Sequence, residues 1–447
     1  MYLDDGTAGA NSYNETLNLS EIIQNDLKRF GFIIAEEKSH WLPTQEIIWL
    51  GLFWNMHDGS LHLSEERISK LLNSVELILS HLSNGDRAVA VRTLAGVVGQ
   101  LISAQPVFGH LARLHTRRSY ECIQDRLSWK GRVYITSQCE NELRYWLKNS
   151  FELNVRGSNF SHLTVKKVTD LKLFCDASGT GYGGYLTTPD GDCVPGSTVY
   201  GNWETTEVEK SSTWRELEAV RKVLFSNLNM VQGQSLQVIS DNKNVKHILE
   251  VGSKKVKLND ICLDIVNKCD NNDITLSSMW ISTNENVKAD HLSRVGDCDD
   301  WGVQWWAFNR LDFIWGPHTY DRFASFYNRK CDKFSAKFWC EGCSGIDAMR
   351  QKWEGENNWL VPPPVLISNV VKKLLKEKVK ATLVIPVWKS APFWPLLVHH
   401  ENIFISNISD FIYFEGNDFT HRGYGKNGIF GKKIQRFSFV ALRFNAN

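Results

Sequence analysis

The stretch that decides the fold reads Leu173-Phe174-Cys175-Asp176-Ala177-Ser178-Gly179-Thr180-Gly181-Tyr182-Gly183-Gly184. Its apolar first half predicts a buried strand over residues 171–176, which ends on the carboxylate of Asp176. The glycines that follow have two interpretations. They are turn and strand residues, or they allow the backbone to approach a substrate strand closely. The stretch opens a set of four acidic segments in the middle third of the chain.

The other three acidic segments are Trp214-Arg215-Glu216-Leu217, Val238-Ile239-Ser240-Asp241-Asn242 and Lys288-Ala289-Asp290-His291-Leu292-Ser293-Arg294. Glu216 falls in the first turns of a predicted helix, Asp241 at the end of a predicted buried strand, and Asp290 in a predicted short helix. In chain order, the patterns predict strands at 171–176, 183–187 and near 199, a helix at 213–229, a strand at 236–240, two helices, a strand at 274–281 and a helix at 286–293.

The choice of carboxylates fits the hydrolysis of a phosphodiester. That reaction needs a nucleophile near neutral pH and stabilisation of a leaving alkoxide. Two Mg²⁺ ions about 4 Å apart supply both, and hard cations prefer carboxylate oxygens. A purely structural cluster is less attractive, because carboxylates crowded without cations repel one another. The sequence therefore predicts four catalytic residues that bind two Mg²⁺ ions, or Mn²⁺ in their place: Asp176, Glu216, Asp241 and Asp290.

Residues 168–296 resemble the RNase H domains of DIRS-like and gypsy-like retroelements. The resemblance rests on Cys-Asp-Ala-Ser-x-x-Gly-x-Gly-Gly, Trp-Arg-Glu-Leu and Asn-x-x-Ala-Asp-x-Leu-Ser-Arg, in that order. It implies an α/β fold, namely an RNase H-like mixed sheet with flanking helices, and Mg²⁺-dependent hydrolysis of the RNA strand of RNA–DNA hybrids. Ser178, Gly179 and Asn242 are then expected to contact the hybrid. The family often has a histidine before the last acid, and residues 282–286 contain none; either His291 substitutes for it or product release proceeds without such a residue.

The N-terminal part, residues 1–63, resembles the end of a reverse transcriptase palm. Tyr2-Leu3-Asp4-Asp5-Gly6 is similar to the Tyr-x-Asp-Asp motif, although a plain turn is the alternative. A strand at 32–34, a strand at 47–53 with Trp49-Leu50-Gly51, and a hairpin through 57–60 are predicted to follow. Asp4 and Asp5 are expected to be the remnant of a polymerase motif. Reverse transcriptase activity is not expected from this chain, because no upstream carboxylate partners the pair.

Residues 64–150 are predicted to form a helical thumb and connection, beginning with a helix at 65–82 after the N-cap residue Ser64. This region contains a basic stretch with six Lys/Arg and two acidic residues between Arg113 and Arg132. Such a surplus predicts contacts to a phosphate backbone, and a solvated helical face is the alternative. The arginines expected to bind nucleic acid are Arg113, Arg117 and Arg118.

The C-terminal part, residues 300–447, contains nine of the 17 tryptophans. A predicted helix at 366–379 and strand at 381–388 resemble the methyltransferase-like domain that follows RNase H in DIRS-like elements. Val361-Pro362-Pro363-Pro364 stands where that family has Asn/Asp-Pro-Pro-aromatic, so a folded remnant or nucleic-acid-binding module is preferred to active methyl transfer. Cys340-Glu341-Gly342-Cys343, with Cys331 and His318, gives a zinc site as a further alternative.

The whole-chain composition is that of a globular protein, with 447 residues, 43% hydrophobic residues and a net charge of +1. Ten scattered cysteines and the absence of a signal-peptide pattern favour an intracellular protein of the cytoplasm or nucleus. No apolar run predicts a membrane span. The preferred function is that of a retroelement-derived RNase H, from a truncated polyprotein. The alternatives are a catalytically idle, hybrid-binding remnant and an adenine methyltransferase-like activity. The oligomeric state stays open.

Overall fold

A computed structural model describes residues 6–159, 168–296, 301–399, 403–416, 418–421, 430 and 437–445. The motif residues Asp4 and Asp5 lie outside these ranges. The chain divides into two compact units, residues 1–168 with 250–259 and residues 169–249 with 260–447. The predicted α/β class, with mixed sheets and flanking helices, is confirmed. Among the described helices, none has the length and apolar composition needed to cross a membrane.

The first unit is mainly helical. Its longest amphipathic helix, Glu65–Ser83, buries apolar side chains at helical spacing, which confirms the predicted helix after Ser64. The other helices are Tyr13–Arg29, Val91–Ser103, Gln105–Phe108, Leu111–Leu114, Arg117–Gln124 and Ser137–Arg156. The strands are Glu46–Trp49, Leu52–Asn55, Ser60–Leu63, Ala88–Ala90, Arg132–Tyr134 and Ser158–Asn159.

Two predictions for the first unit are wrong. Residues 32–34 form no strand, and Ile33 is fully exposed, because an apolar run becomes a strand only where a neighbouring strand pairs with it. The single strand predicted at 47–53 is divided by a turn at Leu50 and Gly51, whose φ angles are 52° and 71°. Trp49-Leu50-Gly51 therefore closes a hairpin of its own before the predicted one.

The second unit begins with a five-stranded mixed sheet, whose elements confirm the predicted order, although the single helix predicted at 213–229 ends at Ser226 and a short helix follows it. They are β1 (Leu171–Ala177), β2 (Gly181–Thr187), β3 (Val199–Asn202), α1 (Ser212–Ser226), β4 (Ser235–Ser240), α2 (Lys243–Val251), α3 (Val256–Asp270), β5 (Thr275–Trp280) and α4 (Val287–Ser293). The strand order is β5-β4-β1-β2-β3, with β1 to β3 antiparallel and β4 parallel to both β1 and β5. Short helices at Thr205–Val208 and Leu228–Val231 flank α1.

Two neighbouring glycines of β2 place helices on both faces of this sheet. A Cβ added to Gly183 would lie 2.6 Å from the backbone nitrogen of Ser293, and one added to Gly184 would lie 2.8 Å from the side chain of Val223. Successive residues of a strand face opposite sides, so α4 and α1 cover opposite faces. At these two positions the glycine lets the protein's own helices pack close to the strand, which favours the structural interpretation of the glycines.

The C-terminal part of the second unit holds a seven-stranded sheet. Its elements are α5 (Trp305–Trp315), β6 (Tyr320–Asp321), β7 (Lys333–Ala336), β8 (Gly345–Ile346), β9 (Asn358–Leu360), α6 (Ile367–Glu377), β10 (Ala381–Pro386), β11 (Ile408–Phe414) and β12 (Phe439–Phe444). The strand order is β8-β7-β6-β9-β10-β12-β11; the pairs from β8 to β10 are parallel, and β12 is antiparallel to both β10 and β11. The predicted helix at 366–379 and strand at 381–388 are confirmed as α6 and β10.

Many tryptophans of this region serve as core residues. Trp353 and Trp359 are almost fully buried, and they belong to two separate apolar clusters of the seven-stranded sheet. Trp339 instead packs on helix α1 of the five-stranded sheet, since its ring lies 4.8 Å from that of Phe225 and its backbone N–H donates to Ser226 Oγ at 2.9 Å. The two sheets of the second unit are thus joined by a contact between side chains.

Candidate metal centre

The register of two parallel strands brings the first two acids together. Phe174 of β1 lies opposite Ile239 of β4. Two residues further along each strand come Asp176 and Asp241, which therefore reach the same edge of the sheet side by side. Glu216 arrives from the second turn of α1, and the backbone N–H of Ala177 donates to its carboxylate.

The three carboxylates form one group. Each offers a ligand oxygen, and these oxygens all lie within 4.8 Å of one another. Among the residues that the structure describes, this is the one set of three or more His, Cys, Asp or Glu side chains arranged in this way. Asp176 and Glu216 are buried, and Asp241 is half-buried.

The environment opposes negative charge on two of the acids. Burial, together with the charges of Asp176 and Asp241, raises the pKa of Glu216 to about 9. Burial also raises the pKa of Asp176, with smaller contributions from the charges of Asp241 and Asp290, while the hydroxyl of Ser293 and the charge of Arg294 lower it. Ionised together, the three carboxylates would carry more negative charge than the surrounding side chains neutralise.

A divalent cation fits this group. One carboxylate oxygen of Glu216, Oε2, is buried and has no hydrogen-bond partner among the described residues. Buried polar atoms without partners are rare in native proteins and call for a specific explanation. An all-oxygen set of carboxylates is the ligand chemistry of Mg²⁺ and Mn²⁺. A bound cation would supply the missing partner and would lower the cost of ionising the cluster.

The fourth predicted ligand, Asp290, is not a member of this close group. Its carboxylate is held by Arg294, with Nη2 to Oδ1 at 2.5 Å and Nε to Oδ2 at 3.2 Å. This hydrogen-bonded pair lowers the pKa of Asp290. Asp290 is still close enough for its charge to raise the pKa of Asp176. The structure thus places all four acids in one region and joins three of them at ligand distance.

Two residues that position the acids had no role assigned from the sequence. Asn286 precedes α4, is almost fully buried, and donates from Nδ2 to the carbonyl oxygen of Cys175 at 2.9 Å. Thr283 donates from Oγ1 to Asp241 Oδ2 at 2.8 Å. Asn286 is the first residue of the Asn-x-x-Ala-Asp motif. Its position four residues before Asp290 is the sequence signal from which its positioning role could have been predicted.

The residues predicted to contact a hybrid have different surroundings. The hydroxyl of Ser178 is buried and donates to the carbonyl oxygen of Ser293 in α4 at 2.7 Å. It also accepts from the backbone N–H groups of Thr180 and Gly181 at 3.1 and 3.0 Å, which stabilises the turn between β1 and β2. Gly179 lies at that turn with no atom within 4 Å of an added Cβ. Asn242 is half-buried and accepts from the backbone N–H of Asn244 at 2.9 Å. Contact of these three residues with the hybrid stays a prediction. Gly179 fits it best, because the space beside its Cα is open.

The three predicted arginines of the first unit also differ. Arg118 is buried, and its guanidinium donates to Glu121 at 2.7 Å and to the carbonyl oxygen of Lys254 at 3.0 Å. Arg117 is half-buried and donates to the carbonyl oxygens of Val251 and Gly252. Arg113 is exposed and donates to the side chain of Gln105. Arg113 is therefore the one of the three best placed for a phosphate contact.

Two smaller alternatives can be placed as well. His291 is exposed on α4 and stays a candidate for the family's histidine. The zinc alternative is wrong for the described residues, since no cysteine belongs to a group of three ligands. The ring nitrogens of His318 are bound to Asp312 and Thr382 at 2.6 and 2.7 Å. Both nitrogens of that ring are thus already used.

No family model matches the chain, and no curated protein matches its sequence. Among solved structures, it is similar to the foamy viral protease-reverse transcriptase in complex with an RNA/DNA hybrid, at 17% identity and a TM-score of 0.29 over 61% of this chain. This chain spans 34% of that polypeptide. It is also similar to LC11-RNase H1 from a compost metagenome (18% identity, TM-score 0.24, 28% of this chain and 93% of that one) and to the N-terminal RNase H domain of rv2228c from Mycobacterium tuberculosis (16% identity, TM-score 0.24, 28% and 91%).

Proposed function

We propose that residues 168–296 are a retroelement-derived RNase H domain that hydrolyses the RNA strand of RNA–DNA hybrids with Mg²⁺. The observation that carries the proposal is the group of three carboxylates within 4.8 Å at one edge of a β5-β4-β1-β2-β3 sheet. The motifs around these acids, and Asp290 beside them, are those expected of a retroelement RNase H.

Each acid has a distinct position from which to act. Asp176 and Asp241 end adjacent strands and would hold cations from a rigid edge, and Glu216 would hold them from the start of α1. The bound Mg²⁺ would activate a water nucleophile and stabilise the leaving alkoxide. Asp290, on α4, is available to complete the ligand set. Gly179, at the open turn after β1, would lie against the hybrid, where RNA is distinguished by its 2′-hydroxyl groups.

Cleavage of a labelled hybrid tests the proposal. Parent protein and Asp241→Asn are incubated with a hybrid labelled on its RNA strand, with Mg²⁺ or with EDTA. Asp190→Asn is the matched control, because Asp190 is an exposed acid in a turn of the same unit. We expect RNA cleavage by the parent and by the control, and a loss of at least a hundredfold in Asp241→Asn. Cleavage that persists in EDTA or in Asp241→Asn would contradict the proposal.

The alternative, a catalytically idle remnant that binds hybrids, gives a different result in the same assay. The parent would then bind the hybrid in a binding measurement and leave its RNA strand intact at every Mg²⁺ concentration.

Under the preferred proposal, residues 1–63 correspond to the end of a polymerase palm, and residues 64–150 to its thumb and connection. Residues 300–447 correspond to a further module. Reverse transcriptase activity is not part of the proposal.

A second candidate function concerns residues 300–447. In their sheet, β6, β7 and β8 follow one another in one direction, and β9 and β10 follow in the opposite direction, so the strand order switches between β6 and β9. Ligands of open α/β sheets bind at the carboxyl ends of the strands at such a switch point. Asp321 ends β6, and its buried Oδ1 has no hydrogen-bond partner among the described residues. Val361-Pro362-Pro363-Pro364 follows β9 directly. This arrangement favours a ligand site, and the resemblance to adenine methyltransferases implies S-adenosylmethionine as its ligand.

Calorimetry with S-adenosylmethionine tests this second candidate. Binding to the parent that is lost in Asp321→Asn, and kept in the exposed control Asp332→Asn, is the expected result. Titration of the parent without measurable heat at several temperatures removes the candidate.

A further inference from the structure

Asp290, the fourth acid of the candidate metal centre, has an arginine partner, which the other three acids lack in the described structure. Arg294 stands four residues after Asp290, directly after the end of α4, and its planar guanidinium contacts both carboxylate oxygens. Two-point contacts of this kind are among the stronger hydrogen bonds between charged groups. Asp290 thus has a cation of the protein's own on the oxygens that would otherwise bind a metal ion.

The charge of Arg294 also reaches the group of three. It acts on Asp176 of β1, whose carboxylate also interacts with the hydroxyl of Ser293 in α4. The other three acids meet without any such guanidinium contact in the described structure, and Glu216 keeps an unpartnered oxygen. The four acids therefore differ in what a cation has to displace. At the group of three no cationic side chain of the protein has to be displaced, whereas at Asp290 an arginine has to leave.

Resting on the proposed function, we propose that Arg294 is a positioning residue that makes metal binding at this centre sequential. A first divalent ion binds the group of three. A second ion that uses Asp290 has to displace the guanidinium, and Arg294 therefore weakens binding of the second ion. Once displaced, the exposed guanidinium stands beside the centre, where the negatively charged phosphate of a nucleic acid would be its replacement partner.

The size of the effect follows from the exposure of the pair. The side chains of Arg294 and Asp290 are 62% and 34% exposed. Exposed ion pairs are weak, and the loss of one changes an equilibrium by about 1.4-fold to fivefold. We therefore expect Arg294→Ala to bind the second ion up to about fivefold more tightly, with little change for the first. Arg294→Lys, which keeps the charge and loses the two-point contact, should lie between the two.

The experiment counts bound Mn²⁺ in full-length protein by electron paramagnetic resonance of the free ion, without nucleic acid. Lys288→Ala is the matched control, because Lys288 is a second cation of α4 whose Nζ lies over the ring of Tyr185, 4.1 Å from its centre. Asp290→Asn removes a ligand of the second ion, so this variant should keep the first ion and lose the second. Circular dichroism checks that each variant folds.

Two results would overturn the inference. One is an unchanged second affinity in Arg294→Ala, and the other is an equal gain in Lys288→Ala, which would show a general charge effect. Both leave the proposed function intact, provided that the parent binds ions and Asp241→Asn does not. If the parent binds no Mn²⁺ at all, the proposed function fails together with the inference.

Discussion

The side-chain amide of Asn286 donates to the carbonyl oxygen of Cys175 at 2.9 Å, and this bond joins the start of α4 to β1. Cys175 precedes Asp176, and Asn286 stands four residues before Asp290. One buried hydrogen bond therefore connects the backbones that carry two of the four acids. Because both partners are buried, the bond fixes the position of α4 more firmly than an exposed contact would.

Loss of this bond should loosen α4. In Asn286→Ala the carbonyl oxygen of Cys175 stays buried without its donor, which costs about 1–3 kcal/mol of unfolding free energy. We expect urea denaturation to show this loss and RNA cleavage to fall with it. The control Asn284→Ala changes an exposed asparagine of the same loop and should leave both unchanged. Equal stability of the two variants would argue against the role given to Asn286.

A methyl group at Gly183 should separate α4 from the sheet. The added Cβ would lie 2.6 Å from the backbone nitrogen of Ser293, and backbone cannot move aside as a flexible side chain can. Overpacking of this kind costs about 1–3 kcal/mol or more. Gly179→Ala is the matched control, because its Cβ would meet no atom within 4 Å. Thermal denaturation of the pair should show a clear loss of stability for Gly183→Ala alone.

Glu216 should make the metal-free protein less stable as the pH rises. Its pKa is raised to about 9 in the folded protein from the usual 4.5, so the folded state holds a proton that the unfolded chain releases between these values. The contribution to stability is full below about pH 4.5 and is lost as the pH rises through about 9.

Glu216→Gln removes this titration. In EDTA, we expect the variant to be more stable than the parent at pH 8, by on the order of 2 kcal/mol, and the difference to shrink towards pH 5. Urea denaturation at several pH values measures it, with the exposed Glu209→Gln as control. A parent and Glu216→Gln whose stabilities change in parallel with pH would contradict the prediction. Saturating Mg²⁺ should reduce the parent's loss, since the cation neutralises the ionised carboxylate.

Arg113 should contribute to nucleic-acid binding without contributing to folding. Its side chain is exposed, whereas the neighbouring Arg118 is buried and bonded to protein oxygens. In Arg113→Ala we expect weaker hybrid binding, and a slope of log affinity against log salt that is smaller by about 1. Arg92→Ala, another exposed arginine of the first unit, is the control for a general loss of charge. Identical salt slopes for the parent and Arg113→Ala would exclude a phosphate contact.

The elements of the five-stranded sheet were predictable because their patterns are local. A strand shows itself by apolar residues followed by glycine or polar residues, and a helix by a spacing of three to four, and both signals depend on near neighbours in the chain. The same logic failed at residues 32–34, where an apolar run of three residues has no strand beside it. The sequence also had no means to reveal that Arg118 is buried, since that depends on Glu121 and Lys254 packing around it.

The sequence by itself determined that acids stand at the ends of β1 and β4, near the start of α1 and in α4, because strand, helix and turn signals around each acid are local. Only the tertiary structure decided that Asp176, Glu216 and Asp241 share a site while Asp290 is held by Arg294. The physical reason is one of range. Secondary structure follows from backbone preferences over a few residues, but the partner of a charged side chain is chosen by distances that exist only after the sheet and its helices have packed.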